Sequence, residues 1–104
     1  MRRGEVWLAQ VGRKLRPVVV VTRDEVLDVR FNVTVAEITT TVRGLTVEVT
    51  VDPDCGIEQA SVVNCDGLHT VSQRRLTKRL GSVDDDTLGR ICEGLTAALG
   101  CDRR

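Results

Sequence analysis

Apolar and polar positions alternate along much of this 104-residue chain, and the alternation favours β-strands. It is clearest at residues 32–39 and 45–51. Residues 17–22 differ, because four valines follow a proline and predict a strand that is buried on both faces. Three shorter apolar stretches predict further strands at residues 5–9, 60–66 and 68–72.

Polar segments separate these predicted strands. Residues 11–16 are predicted to form a basic loop around Gly12, with Pro17 at the first position of the strand that follows because it has no N–H to donate. Residues 23–28 are predicted to form one helical turn, and residues 52–56 a tight turn. Residues 74–81 are strongly basic and are predicted as a turn or a short helix.

Helical spacing appears only near the C-terminus. Acidic and hydroxyl side chains between Ser82 and Asp86 suit a helix start, and Gly100 suits its end. An apolar stripe lies between them, formed by Leu88, Ile91, Cys92, Leu95 and Leu99. The whole pattern predicts one domain over residues 1–104, a compact and mostly antiparallel sheet or barrel with a packed helix.

Composition limits the functions that this fold could perform. The formal net charge is zero and aromatic residues make up only 2%, so an anionic partner must meet a local basic patch and not a set of stacking rings. No apolar run reaches the ~20 residues of a membrane span, and residues 1–10 lack the apolar region of a signal peptide, so we expect a cytoplasmic protein.

The four cysteines do not form a CxxC pair, and we expect free thiols rather than a metal site. We expect no cofactor.

Candidate chemistry lies in three polar stretches at the predicted ends of strands. Arg16 precedes the valine strand, Thr39 opens a run of three threonines that Arg43 follows, and Asn64 and Asp66 flank Cys65. If the three stretches meet, an aspartate could take a proton from an RNA 2′-hydroxyl while an arginine holds the phosphate oxygens. No metal is required for that reaction.

Each stretch also has a simpler interpretation. Arg16 could be a surface residue with a packed stem, Thr39 could reflect strand propensity, and Asp66 before Gly67 could be a turn former. His69 could donate a proton to a leaving oxygen, contact RNA or be an exposed strand residue. The residues taken alone leave these alternatives open.

Four segments, taken in order, resemble the MazF/PemK (Kid) family of bacterial toxins. They are "RRGEVWLAQV" at residues 2–11, "RPVVVVTRD" at 16–24, "VAEITTTVRGLTVEV" at 35–49 and "SVVNCDGLHTVSQRRLTKRLGSV" at 61–83. Together they span most of the chain.

The resemblance implies a small SH3-like barrel of the CcdB/MazF/PemK type with a C-terminal helix, acting as a homodimer. It implies a metal-independent, sequence-specific endoribonuclease that leaves 2′,3′-cyclic phosphate and 5′-hydroxyl ends on single-stranded RNA. It also implies a MazE-like antitoxin with an acidic C-terminal segment. Carried over by position, Arg16 matches the essential arginine, Thr39 the catalytic threonine and Asp66 the proposed general base.

Two departures from the family pattern concern RNA contacts. The first loop is reduced to "GRK" at residues 12–14, as in some actinobacterial members, and Asn64 stands where Kid-type toxins carry an arginine. We therefore expect RNA contacts from Arg13, Lys14, Thr40, Arg43, Asn64 and His69. The alternatives are a gyrase poison like CcdB and a barrel that binds RNA or protein without catalysis.

Overall fold

Six strands form one antiparallel sheet in the computed structural model, which describes residues 1–101. The strand order is β4-β5-β3-β2-β1-β6, and one helix follows the last strand. The bounds are β1 Glu5–Val11, β2 Lys14–Val20, β3 Asn32–Thr39, β4 Glu48–Val51, β5 Ser61–Ser72, β6 Leu76–Ser82 and α1 Asp85–Leu99. The mostly β fold with a C-terminal helix is confirmed, and a 3-10 turn at Asp24–Val26 confirms the helical turn predicted there.

The sheet carries an apolar core on each face, which explains the valine run. Val19 and Val21 pack on the face that α1 covers, whereas Val18 and Val20 pack on the opposite face. The helix-side core also contains Val6, Ala36, Ile38, Val49, Val51, Cys55, Ile57, Val63, Cys65 and Ile91. The second core also contains Ala9, Leu27, Val33, Val35 and Leu76.

The predicted basic loop is wrong in extent, because β1 and β2 join through a two-residue turn. Gly12 has a φ of +61° in that turn, and Lys14 already pairs with Val11. Pro17 consequently lies inside β2, opposite Leu8, and not at its first position. A proline is tolerated there because the pairing of β2 with β3 begins only at Val18.

Strand β4 begins at Glu48, and the predicted start at residue 45 is wrong. The carboxylate of Glu48 accepts the backbone N–H of Arg43 at 3.1 Å and that of Leu45 at 3.0 Å, and the chain turns around it. Leu45 is 48% exposed, so its place in the apolar alternation does not reflect burial.

The two strands predicted on either side of Gly67 are one continuous strand, β5. Its register against β3 shifts between Asn64, opposite Glu37, and Leu68, opposite Ala36, so residues 65–67 form a bulge. The segment predicted as a basic turn or short helix begins in a 3-10 turn, Gln73–Arg75, as predicted, but the rest of it is strand β6, paired with β1. Charged side chains are typical of such a strand at the edge of a sheet.

The helix forms as predicted. Asp84 caps it by accepting the backbone N–H of Thr87 at 2.7 Å, and Gly100 ends it with a φ of +72°. Ile91 is fully buried, whereas Leu99, predicted in the same stripe, is 64% exposed. No helix within residues 1–101 has the length and apolar character needed to cross a membrane.

Candidate active site

An open polar pocket of about 230 Å³ lies on the face of the sheet opposite α1. Its walls come from β2, β3, β5, the start of β4 and the loop that precedes β4. The lining residues are Arg16, Glu37, Thr39, Thr41, Arg43, Glu48 and Asn64. Four of the residues singled out in the sequence, namely Arg16, Thr39, Arg43 and Asn64, therefore meet in one place.

Strand register brings these side chains together. Glu37, Asn64 and Glu48 stand directly opposite one another on the neighbouring strands β3, β5 and β4. Val18 pairs with Glu37, so Arg16, two positions earlier on β2, projects from the same face. Residues far apart in the chain thus form one polar row across four strands.

The Glu37 carboxylate contacts two basic side chains, Arg16 within this row and His69 outside it. Its Oε1 lies 3.3 Å from Arg16 Nε, and its Oε2 lies 3.0 Å from His69 Nε2. The Glu37 side chain is 21% exposed and that of Arg16 is 39% exposed, so solvent screens the ion pair only in part. Arg16 contacts Glu37 through Nε, and its guanidinium also carries two terminal nitrogens that can donate to an anion.

Gly67 gives the Glu37 carboxylate its space. A Cβ at position 67 would lie 3.2 Å from Glu37 Oε2 and 3.2 Å from Asn64 Nδ2. The bulge in β5 therefore places a glycine beside the Glu37 carboxylate, where a side chain would crowd it.

Glu48 differs from Glu37 in its partners, because its carboxylate oxygens accept backbone N–H groups. Partial burial acts to raise the pKa of Glu48, but the N–H groups of Leu45 and Arg43 outweigh it and hold the pKa below its ordinary value. The hydroxyl Oγ1 of Thr39 likewise accepts the N–H of Thr41 at 3.1 Å. These contacts fix the loop that carries Arg43 at the rim of the pocket.

Asn64 and Asp66 separate in space although they are two residues apart. Asn64 lines the pocket, and its Oδ1 accepts the backbone N–H of Asp66 at 3.0 Å, which leaves Nδ2 as a donor. Asp66 itself is exposed in the bulge and is not among the residues that line the pocket.

The remaining predicted residues lie around this site at different distances. His69 reaches it through Glu37, whereas Arg13 and Lys14 are exposed at the turn between β1 and β2. Thr40 lines a separate cavity together with Pro17 and other residues.

The sequence interpretation missed Glu37 and Glu48, and it included Thr41 only as a member of the threonine run. A signal existed for Glu37, since an acidic residue interrupts the apolar alternation of β3 near the middle of the strand. An ionisable group in a half-buried strand position requires a charged or hydrogen-bonding partner. The sequence alone did not identify that partner.

The pocket has the groups needed to bind and transform a phosphodiester. The guanidinium groups of Arg16 and Arg43, the hydroxyl of Thr39 and the amide of Asn64 can donate to phosphate oxygens, and Glu37 can accept a proton. Within residues 1–101, no three His, Cys, Asp or Glu side chains come together as metal ligands would.

Comparison with known proteins gives a consistent family. A profile for the PemK-like, MazF-like toxins of type II toxin–antitoxin systems matches residues 2–99. The probable endoribonuclease MazF5 of Mycobacterium tuberculosis is 42% identical over 105 residues, which cover 97% of this chain and 94% of the relative. Endoribonuclease MazF3 of the same species is 50% identical over 76 residues, or 73% of each chain.

Solved structures share the fold over nearly the full chain. The M. tuberculosis toxin MazF-mt6 superposes with a TM-score of 0.87 at 40% identity, over 92% of this chain and 96% of that one. A mycobacterial endoribonuclease solved in complex with its cognate antitoxin superposes with a TM-score of 0.89 at 25% identity, over 100% and 99% of the two chains.

Proposed function

The chain belongs to the family of PemK-like, MazF-like toxins of type II toxin–antitoxin systems, and we propose that it cleaves single-stranded RNA at specific sequences. Relatives at 42% and 50% identity carry the name endoribonuclease. The observation that carries the proposal is the meeting of Arg16 and Thr39 in one open pocket. Neither a gyrase poison nor a simple binding module needs that pair.

Arg16 is the residue that binds the scissile phosphate in this proposal. Its terminal nitrogens donate to two non-bridging oxygens and stabilise the charge that develops there during attack. The 2′-oxygen attacks phosphorus and the bond to the 5′-oxygen breaks, which leaves a 2′,3′-cyclic phosphate and a 5′-hydroxyl. Arg16 stays protonated throughout, because a guanidinium does not give up its proton at neutral pH.

Thr39 donates its hydroxyl to the same phosphate, and Arg43 and Asn64 contact the flanking nucleotides. Arg13, Lys14, Thr40 and His69 extend the RNA path beyond the pocket. The family resemblance implies Asp66 as a candidate base, and from its exposed position in the bulge it would have to act at the edge of the site. RNA binding should weaken with salt, with log K falling by ~0.7 per phosphate neutralised for each tenfold rise in salt.

The proposal includes two macromolecular partners. A MazE-like antitoxin would lay an acidic segment over the pocket and pair with Arg16 and Arg43, because carboxylates compete with phosphate for guanidinium groups. A second copy of the chain would complete a symmetric dimer with two such pockets. The site of action is the cytoplasm, where the RNA substrate is.

Digestion of a long mixed-sequence RNA in the presence of EDTA tests the function. We expect discrete cuts with 5′-hydroxyl ends from the wild-type protein and a ~10²-fold or larger loss with Arg16→Ala, in line with removal of a charge-stabilising group. Arg90→Ala is the matched control, since Arg90 lies on α1 and pairs with Asp86.

Absence of cuts by the folded wild-type protein would refute the nuclease assignment. Inhibition of DNA gyrase would then indicate a poison of the CcdB kind, and RNA binding without cleavage would indicate a binding module. Equal cleavage by the wild-type protein and by Arg16→Ala would refute the role of Arg16 but not the nuclease assignment.

A further inference from the structure

We propose that the carboxylate of Glu37 is the general base that takes the proton from the attacking 2′-hydroxyl. This assignment rests on the proposed ribonuclease function. It concerns a residue that the sequence interpretation did not select, and the fold places this acid between Arg16 and His69.

Glu37 is the available proton acceptor among the carboxylates at the site. Of the two that line the pocket, Glu48 is engaged by the N–H groups of Arg43 and Leu45. Asp66 is exposed in the bulge, outside the lining. Within residues 1–101, the polar partners of the Glu37 carboxylate are the side chains of Arg16 and His69, which can shift when RNA enters.

The position of Glu37 beside Arg16 favours a direct role in proton transfer. Its Oε1 lies 3.3 Å from Nε, and the two terminal nitrogens form the adjoining edge of the planar guanidinium. A phosphate bound by those nitrogens would bring the adjoining ribose close to the carboxylate. A base must lie within hydrogen-bond reach of the proton it removes, and the proposal requires that the 2′-hydroxyl of the bound RNA come within this reach of Glu37.

Two contacts orient the carboxylate before substrate binds. His69 lies 3.0 Å from Oε2, which directs Oε1 toward Arg16. Gly67 lies beside the same oxygen, since a Cβ there would come within 3.2 Å of Oε2. Such preorganisation lowers the cost of reaching a reactive geometry.

The reaction balances without a further reactant apart from water. Glu37 takes the 2′-proton, the 2′-oxygen forms a bond to phosphorus, and the bond from phosphorus to the 5′-oxygen breaks. Water protonates the departing 5′-oxygen, and Glu37 later returns its proton to solvent. As the proton arrives, negative charge leaves Glu37 and builds on the phosphorane oxygens, so Arg16 keeps an anionic partner throughout.

Single-turnover cleavage of a short RNA with one mapped site provides the test. We expect Glu37→Gln to lower the maximal rate ~10² to 10⁴-fold, with less than a ~10-fold change in the substrate concentration for half saturation. Glutamine keeps the size of the side chain, can offer its oxygen to Arg16 and can donate its amide N–H to a neutral His69, so a purely positioning residue would lose far less. Glu37→Asp should recover part of the rate, because a shorter carboxylate remains a base.

The pH profile supplies an independent readout. Loss of the base on its protonation should make wild-type cleavage fall toward acid pH, and this acidic limb should vanish in Glu37→Gln. The charged and titratable groups that face Glu37 are Arg16 from β2 and His69 from β5, with Arg43 and Glu48 on the other walls. His69→Gln should therefore be profiled alongside, and in that variant the limb should persist.

Glu93→Gln on α1 is the matched control, because Glu93 is exposed and lies outside the pocket lining. Circular dichroism would establish that each variant is folded. A loss below ~10-fold in Glu37→Gln, or an acidic limb that survives in it, would overturn the proposal. So would an Asp66→Asn variant that loses both rate and limb while Glu37→Gln keeps them. In each case, wild-type cleavage that depends on Arg16 would leave the proposed function standing.

Discussion

Asn64 and Cys65 are neighbours on β5, yet they serve opposite faces of the sheet. Cys65 is fully buried against α1, and its Sγ donates to the backbone oxygen of Ile91 at 3.8 Å. Burial, with smaller contributions from Asp66 and Cys92, raises the pKa of the Cys65 thiol to about 11, so this thiol is inert. Asn64 points into the open polar pocket.

The core beneath α1 and the polar pocket differ in how tightly their side chains pack. On the helix face, small residues permit close packing, and a Cβ on Gly94 would lie 2.7 Å from Cys65 Sγ. In the pocket, polar side chains pair across strands and leave about 230 Å³ open. We therefore expect substitutions in the core beneath α1 to change stability and those in the pocket to change cleavage.

Thr39→Val should show the largest contrast between a lowered cleavage rate and a nearly unchanged stability. The hydroxyl is lost at nearly constant volume, and we expect a fall of ~10²-fold in the cleavage rate, as for removal of one donor from a transition-state site. The free energy of unfolding should change by less than ~1 kcal/mol, the value of the hydrogen bond from Thr41. Single-turnover kinetics and urea denaturation measure the two effects.

Thr50→Val is its control, since Thr50 is exposed on β4 and does not line this pocket. A Thr39→Val protein with full activity would show that its hydroxyl does not act on the phosphate.

Gly94→Ala tests the packed face. Alanine favours a helix over glycine by ~1 kcal/mol, but the new Cβ would clash with Cys65 Sγ, and we expect a net loss of ~1 kcal/mol. Urea denaturation measures the change, and cleavage by the folded protein should stay unaltered.

Gly89→Ala provides the matched control on the same helix. A Cβ at Gly89 would meet nothing within 4 Å, so this variant should gain ~0.5 to 1 kcal/mol. If both variants gained stability, the contact between α1 and β5 would be looser than described. A Cys65→Ala background should reduce the penalty at Gly94, because the clashing atom is then absent.

Asp84→Asn should have the smallest effect, and one that depends on pH. The backbone N–H and the hydroxyl of Thr87 hold the pKa of Asp84 below its ordinary value of 3.8. The charge therefore stabilises the fold above the unfolded pKa, and this stabilisation is lost as pH falls through the folded pKa. Asparagine keeps the cap but not the charge, so Tm should fall slightly at pH 7 and less at pH 2.5.

Thermal unfolding at several pH values measures this effect, and the control is Asp85→Asn in the same turn. If the Tm of the two variants changed equally with pH, overall charge, and not the helix cap, would explain the loss of stability.

Much of the fold could be predicted because it follows from local pattern. The strand at Asn32–Thr39, the helix with its Asp84 cap and its end at Gly100 depend on neighbours within a few residues. The errors fell where side-chain hydrogen bonds or strand pairing override that pattern. Glu48 turns the chain at Leu45, pairing with β1 makes a basic segment into β6, and the bulge lets β5 run through Gly67.

The sequence by itself determined the mostly β class, the family and the importance expected of Arg16 and Thr39, because these follow from periodicity and from motifs in a fixed order. Only the tertiary structure decided which groups share a pocket. Register across β2, β3, β5 and β4 brought Glu37 to Arg16 and His69 and left Asp66 outside. Side chains on separate strands meet according to hydrogen-bonded register, and a bulge of three residues changes that register without a clear mark in the sequence.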